Sequence, residues 1–190
     1  MKKYRQIIFV LILLVFGLVF FSPVFGFQFL SDDWDLIYHA DRYDSLGDRF
    51  TQNDHQGREG YSYRPVVGLY LTVLKSSFGL NPAGYHTFFV LVHVLNAFLV
   101  FLLAQRMVKD GTGRYWIAFL ASLLFLVLPA HAEAIFWISA GADVVATMFY
   151  LLSLIFFFQY LFKRHPELDS ARLDSPARQG SRNKKEKNSN

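Results

Sequence analysis

The chain has 190 residues, 53% of them hydrophobic, a formal charge of +4 and no cysteine. Its apolar residues come in blocks, which excludes an ordinary soluble domain and indicates an integral membrane protein. The missing thiols exclude disulfides, thiolate metal sites and cysteine nucleophiles, and basic residues that flank apolar blocks and fill the tail speak for membrane topology rather than a nucleic-acid groove.

The first predicted element is a span over 7–27, a run without a single charge that follows Lys2, Lys3 and Arg5. About 20 apolar residues cross a hydrocarbon core of about 30 Å. A cleaved signal peptide carries an apolar region of only about 7–15 residues before a small-x-small site, so an uncleaved anchor is the preferred reading. The stretch FLSDDWDLIY follows directly. Ser31 or Asp32 reads as a helix cap, with acids in a first turn that suits the positive end of the helix dipole. A second reading makes one of the adjacent carboxylates, Asp32 or Asp33, a general base, because like charges shielded from water raise the proton affinity of one of them. The two readings are compatible, since a cap fixes a carboxylate in place.

Further along, YRPVVGLYLTVLKSSFGL predicts an amphipathic helix starting near Pro65 and lying in the membrane interface. Lys75 and the short length argue against an extra span. Tyr63, Arg64 and Pro65 form a group in which Arg64 either binds a phosphate or snorkels to the interface.

The second span is predicted over 87–104, and His86, His93 and Asn96 fall along one helical face. Such residues are interhelical hydrogen bonders or line a substrate path. A third span, 116–128, stops at Pro129. The connection LPAHAEAIFWISAGAD then carries His131, Glu133 and Asp143, which read either as interfacial polar residues with local bonds or as functional groups at membrane depth. His131 and Glu133, two apart, are a weak metal signal. A fourth span, 144–162, closes against Lys163 and Arg164. Beyond it, 163–190 is too polar to offset its ordering entropy and is expected to be a disordered basic tail.

Lys and Arg collect at the N-terminus, in QRMVKDGTGR and after the fourth span, whereas PAHAEAIFWISAGAD has neither. The positive-inside rule then places both termini in the cytoplasm and the loops 28–86 and 129–143 outside. The fold class expected is an all-α polytopic membrane protein of about four spans. Its membrane domain covers 1–162 and its long first extracytoplasmic loop contains interfacial helices.

Taken in order, FLSDDWDLI, the RP pair at 64–65, FGLNPAGYH, HVLNA, PAHAEA and GAD resemble the N-terminal part of the C-type membrane glycosyltransferases. The likeness, over roughly 7–162, is to the branch of protein O-mannosyltransferases and transmembrane O-mannosyltransferases with TPR repeats. The resemblance implies inverting transfer of a sugar from a polyprenyl-phosphate donor to an acceptor hydroxyl on a protein or glycan at the outer membrane face. It matches Asp33 and Asp32 to the acidic motif of the first outer loop, with Asp33 placed first, and puts His131, Glu133 and Asp143 at the border of the same cavity. Arg64 is assigned to the donor phosphate by its chemistry. The expected partners are the lipid-linked sugar, the acceptor, membrane lipids, and a missing C-terminal half or another membrane subunit, without nucleic acid. No metal ligand is assigned among these residues, and a divalent metal cofactor stays open. The location implied is a bacterial inner membrane. Because the chain is shorter than such enzymes, it reads as a truncated or split product, or a small paralogue, that does not enclose a complete site alone. The competing reading is a non-catalytic membrane protein that scaffolds a larger complex.

Overall fold

The computed structural model describes residues 2–41, 64–108 and 113–165. The predicted tail from 166 on, Tyr63 and most of the first loop lie outside the described residues. Seven α-helices with short 3₁₀ turns and no strand make up the described chain. The chain is an all-α membrane protein.

Helix α1, Lys2–Phe20, takes up only part of the first apolar run, and Ser22–Gly26 folds as a 3₁₀ turn. Pro23 explains the break, because it has no N–H to give and its ring clashes with the carbonyl four residues back. At about 1.5 Å per residue, the apolar stretch Gln6–Phe20 rises roughly 22 Å, short of a core of about 30 Å. Two short elements follow, α2 (Asp33–Tyr38) and the 3₁₀ turn His39–Asp41.

Helix α3, Pro65–Phe78, begins at the expected proline and ends where Gly79 takes a φ of 58°, a conformation that favours glycine. Asn81 then opens α4, Pro82–Met107: its Oδ1 accepts from the Ala83 N–H at 3.2 Å and Pro82 occupies the first helical position. Helix α5, Arg114–Val127, stops ahead of Pro129, as the sequence predicts. The 3₁₀ turn Pro129–His131, the short α6 (Ala132–Phe136) and the 3₁₀ turn Ile138–Ala140 lead into α7, Ala142–Arg164. Asp143 in the first turn of α7 and Lys163 and Arg164 in its last turn match the helix dipole at both ends.

Pro82–Met107 and Ile138–Arg164 are long and apolar enough to cross a membrane. Arg114–Val127 with Pro129–Phe136 forms a third span only as one pair bent by 48°. The expectation of about four spans thus meets two such helices, this bent pair and the shorter α1. Pro23 and Pro129 produce both departures.

The chain divides into two compact units, to both of which α1, α4 and α7 contribute. The first is built from the described parts of Met1–Gly17, His93–Leu128 and Ala146–Asn190. There Phe9 packs against Phe101, Trp116 and Phe119, with ring centroids 5.7, 5.5 and 4.9 Å away. Leu99, Leu151 and Ile155 form a second apolar contact set. Polar bonds tie the helices together: Gln6 Nε2 donates to Gln105 Oε1 at 3.0 Å, and Arg106 Nη1 to the Ile155 carbonyl at 2.8 Å. His93, fully buried, donates through Nε2 to the Leu126 carbonyl at 3.1 Å and stacks on Phe125. Leu126 lies in the last turn of α5, whose carbonyls lack intrahelical partners, so His93 is the interhelical hydrogen bonder expected of it.

The second unit comprises the described parts of Leu18–Val92 and Pro129–Val145. Val24, Phe29, Ile37, Leu71, Tyr85, Phe89, Ile135 and Ile138 are its buried apolar residues. Helix α3 holds the end of α2 and the turn after it by two bonds, Lys75 Nζ to the Tyr38 carbonyl at 3.0 Å and Thr72 Oγ1 to the Ala40 carbonyl at 2.7 Å. Lys75, whose charge argues against a further span, thus has a defined task here.

Candidate active site

The acidic motif lies in the second unit, where its two aspartates are placed differently. Asp33 is completely buried and Asp32 is exposed. Asp33 Oδ1 accepts two bonds from one residue, the Ser139 N–H at 2.7 Å and the Ser139 hydroxyl at 2.6 Å. Its Oδ2 accepts from the Leu30 N–H at 2.9 Å. A carboxylate has about four lone-pair positions, so three are used by described residues and one on Oδ2 is left for a further donor. A buried carboxylate without such donors is costly, which is why Asp33 fixes both Leu30 and the 138–140 turn around itself.

The expected side-chain cap from Ser31 or Asp32 is not formed. Asp32 holds the cap position of α2 but its side chain makes no capping bond, because its φ of −69° and ψ of −11° are already helical. A capping side chain needs an extended backbone. Instead Asp32 Oδ1 accepts from the Ser31 hydroxyl at 3.0 Å. Ser31 itself has a φ of 42°, and it is the one described residue other than glycine with a positive φ. A left-handed serine directly before an exposed aspartate is local strain of the kind found at functional sites.

Behind Asp33, His86 is fully buried at the start of α4. Phe27 stands edge-on to the His86 ring, with centroids 6.3 Å apart, and also meets Phe136 at 5.8 Å. Neither ring nitrogen of His86 has a hydrogen bond of good geometry among the described residues, although the Ile135 backbone and the Asp33 carboxylate act on the ring electrostatically. Trp137 Nε1 is buried without a partner as well.

Of the other predicted site residues, Arg64 is exposed at the cap position of α3, and Asp143 is exposed in the first turn of α7. Both act on the phenol of Tyr70. Burial pushes this phenol well above its ordinary range, with Arg64 opposing the shift and Asp143 adding to it. Arg64 and Asp143, widely separated in sequence, both influence this one side chain through their charge. His131 ends the 3₁₀ turn after α5 and Glu133 is exposed in α6. The bonds to Asp33 come from Leu30 and Ser139 rather than from either of these. Among the described residues, no three His, Asp or Glu side chains gather as metal ligands.

Sequence reasoning missed Ser139 and Tyr70. Ser139 lies inside the IFWISAGAD stretch that carries Asp143, but a serine in an apolar segment has no signature of its own. Tyr70 sits six positions after Arg64 on the predicted interfacial helix, where a tyrosine is expected for its amphipathic ring alone.

No family model and no solved structure matches the chain. Curated proteins do. The chain is 34% identical over 127 residues to the mouse protein O-mannosyl-transferase TMTC2, a match covering 67% of this chain and 14% of the relative. It is 31% identical over 103 residues to Drosophila melanogaster protein O-mannosyl-transferase Tmtc1, covering 54% of this chain and 12% of that one. A Caenorhabditis elegans protein O-mannosyl-transferase is 30% identical over 154 residues, 76% of this chain and 22% of its own length. The chain is thus a sequence relative of the TMTC protein O-mannosyl-transferases, matching a segment that is about a seventh of the length of the first of them.

Proposed function

We propose that the chain belongs to the machinery of an O-mannosyl transfer, in which a polyprenyl-phosphate-linked sugar is passed to an acceptor hydroxyl at the outer face of a membrane. The observation that carries this is the bond pair from Ser139 to Asp33, which joins the acidic motif to the ISAGAD stretch in a chain related to protein O-mannosyl-transferases. Lys and Arg at the N-terminus, in the 105–114 connection and at the end of α7 support cytoplasmic termini, as in a bacterial inner membrane, with the loops 28–86 and 129–143 outside.

The chemistry follows from the two carboxylates. Attack by a hydroxyl on the anomeric carbon forms a C–O bond as the bond to the phosphate oxygen breaks, and the phosphate leaves with the electron pair. The hydroxyl proton needs a base. Total burial and three hydrogen bonds suit Asp33 to organising the site, so the proton-accepting role passes to exposed Asp32, one residue away on the strained turn at Ser31. The leaving phosphate needs positive charge rather than a proton, and Arg64 supplies it. His131, Glu133 and Asp143 border the acceptor and donor groups through hydroxyl contacts.

The test is transfer of mannose from a polyprenyl-phosphate donor to a serine- and threonine-bearing protein in membranes containing the chain. Asp32→Asn is expected to lower turnover by about 100-fold or more while leaving folding intact, in the range of a lost general base. Asp33→Asn is expected to lower both turnover and thermal stability. Full activity in Asp32→Asn overturns the base assignment, and a folded wild-type chain that supports no transfer, alone or with the rest of its complex, points to the scaffold role instead.

A further inference from the structure

Helix α7 buries one face within its own unit and leaves the other unpartnered. Leu151 and Ile155 pack with Leu99 on the buried side. Of the residues exposed between 146 and 160, all but Gln159 recur at i, i+3, i+4 and i+7, a single stripe along the helix. Ala146 and Ser153, seven apart, are its small positions, and Tyr160 lies seven further on. Two aromatic pairs fill the turns between them, Phe149 with Tyr150 and Phe156 with Phe157. A strict seven-residue repeat stays against a neighbouring helix when the two wind around each other left-handed. Small residues on such a seam let the backbones approach closely.

Lipid alone does not call for this face. The residues exposed between 7 and 16 on α1 and between 117 and 128 on α5 are all hydrocarbon. Helix α7 instead turns the hydroxyls of Tyr150 and Ser153 outward, and Ser153 stands near the middle of the span Ile138–Arg164. Neither hydroxyl has a hydrogen-bond partner among the described residues. Ser122, within α5, donates to the Phe119 carbonyl of its own helix at 2.8 Å. Hydrocarbon supplies no partner, so a hydroxyl left open there is costly unless another helix meets it.

We propose that this stripe is the contact by which two copies of the chain pair in the membrane, α7 against α7. Copies inserted the same way run parallel and bring identical residues to the same depth. A hydroxyl is both donor and acceptor, so Ser153 of one copy satisfies Ser153 of the other, whereas a helix of different sequence must supply a matching polar group at that depth. The area is also sufficient. The five aromatic side chains are 55 to 65% exposed. At roughly 150–250 Å² each they leave about 600 Å² on this face, comparable with the roughly 800 Å² per partner of a standard interface. The pairing is independent of the transfer reading above.

The experiment uses the full chain in liposomes over a series of protein-to-lipid ratios, and it exploits the absence of native cysteine. Energy transfer between two labelled pools is expected to show a dimer at high lipid dilution. Ser153→Ala is expected to weaken it by about threefold to tenfold, and Ser153→Leu, which also blocks close approach, by more. Because Ser153 is exposed in the single chain, circular dichroism of both variants is expected to match wild type. Under mild oxidation Ala146→Cys and Ser153→Cys are each expected to form a disulfide-linked dimer, while Leu120→Cys and Leu124→Cys, exposed on α5, are not. A chain that stays monomeric at every ratio overturns the proposal and leaves the stripe to lipid. So does a dimer that Ser153→Leu does not weaken, or one that cross-links through α5 instead. In native membranes, cross-linking of Ala146→Cys and Ser153→Cys only to a different membrane protein gives the face to that protein and likewise overturns the pairing of copies.

Discussion

Ser139 gives both its backbone N–H and its hydroxyl to the same oxygen of Asp33, across 106 positions of sequence. One residue therefore holds the acidic motif and the turn ahead of α7 in a single arrangement. Ser139→Ala removes the 2.6 Å bond from the hydroxyl and keeps the one from the backbone. A hydrogen bond to a charged group contributes about 1.5–3 kcal/mol, so the variant is expected to lose roughly that in unfolding free energy, with Ser139→Thr largely restoring it. Denaturant or thermal melts in detergent check the point. If Ser139→Ala is as stable as wild type, the Asp33 tie does not hold the unit together.

Ser31 stores strain next to the aspartate assigned as base. A left-handed backbone costs a residue with a side chain about 1–2 kcal/mol and costs glycine little. Ser31→Gly relieves that strain, but it also frees the unfolded chain and removes the Ser31 hydroxyl bond to Asp32. A net stabilisation of up to about 1 kcal/mol is expected, together with slower transfer, because Asp32 loses its orienting partner. A change in the same direction for both quantities contradicts the assignment of this strain to function.

Much of this was legible in the residues, and what was not has specific physical causes. Pro65 at the start of α3, Pro129 at the end of α5, and Lys163 and Arg164 closing α7 mark their boundaries because proline and charge act locally. The first apolar run misled by length: composition favours one span, while Pro23 divides it into α1 and a 3₁₀ turn. The acidic pair was visible as chemistry, but not which member would be buried. That depends on Ser139, and a contact between residues 106 positions apart leaves no periodic trace. His93 was readable as an interhelical bonder because it needs only a neighbouring carbonyl, which the break at Pro129 provides.

Gly141 offers a steric test of how the GAD motif packs against Phe89. Its φ of −60° suits any residue, so its smallness is needed for space: a Cβ there overlaps the Phe89 ring. Gly141→Ala is expected to destabilise by about 1–3 kcal/mol, as overpacking does. The double variant Gly141→Ala with Phe89→Leu is expected to recover stability, as a positive coupling in a double-mutant cycle. Additive effects of the two substitutions refute the contact.

The titration of Tyr70 has a sign that can be measured against nine other tyrosines, since the chain has ten in all. Burial, the largest influence, raises the folded-state pKa above the unfolded value of about 10; Asp143 adds to the shift and Arg64 opposes it. A pKa raised on folding contributes stability that is fully present below the unfolded value and is lost as pH climbs through it toward the folded one. Wild type is therefore expected to lose stability above about pH 10. Tyr70→Phe lacks this one titration and keeps the other nine, so the difference in unfolding free energy between the two proteins isolates it. That difference should be flat below about pH 9 and should turn progressively in favour of Tyr70→Phe above about pH 10. Unfolding curves recorded at a series of alkaline pH values give the comparison. Curves for the two proteins that fall in parallel through this range would mean that the Tyr70 hydroxyl meets water in the folded chain.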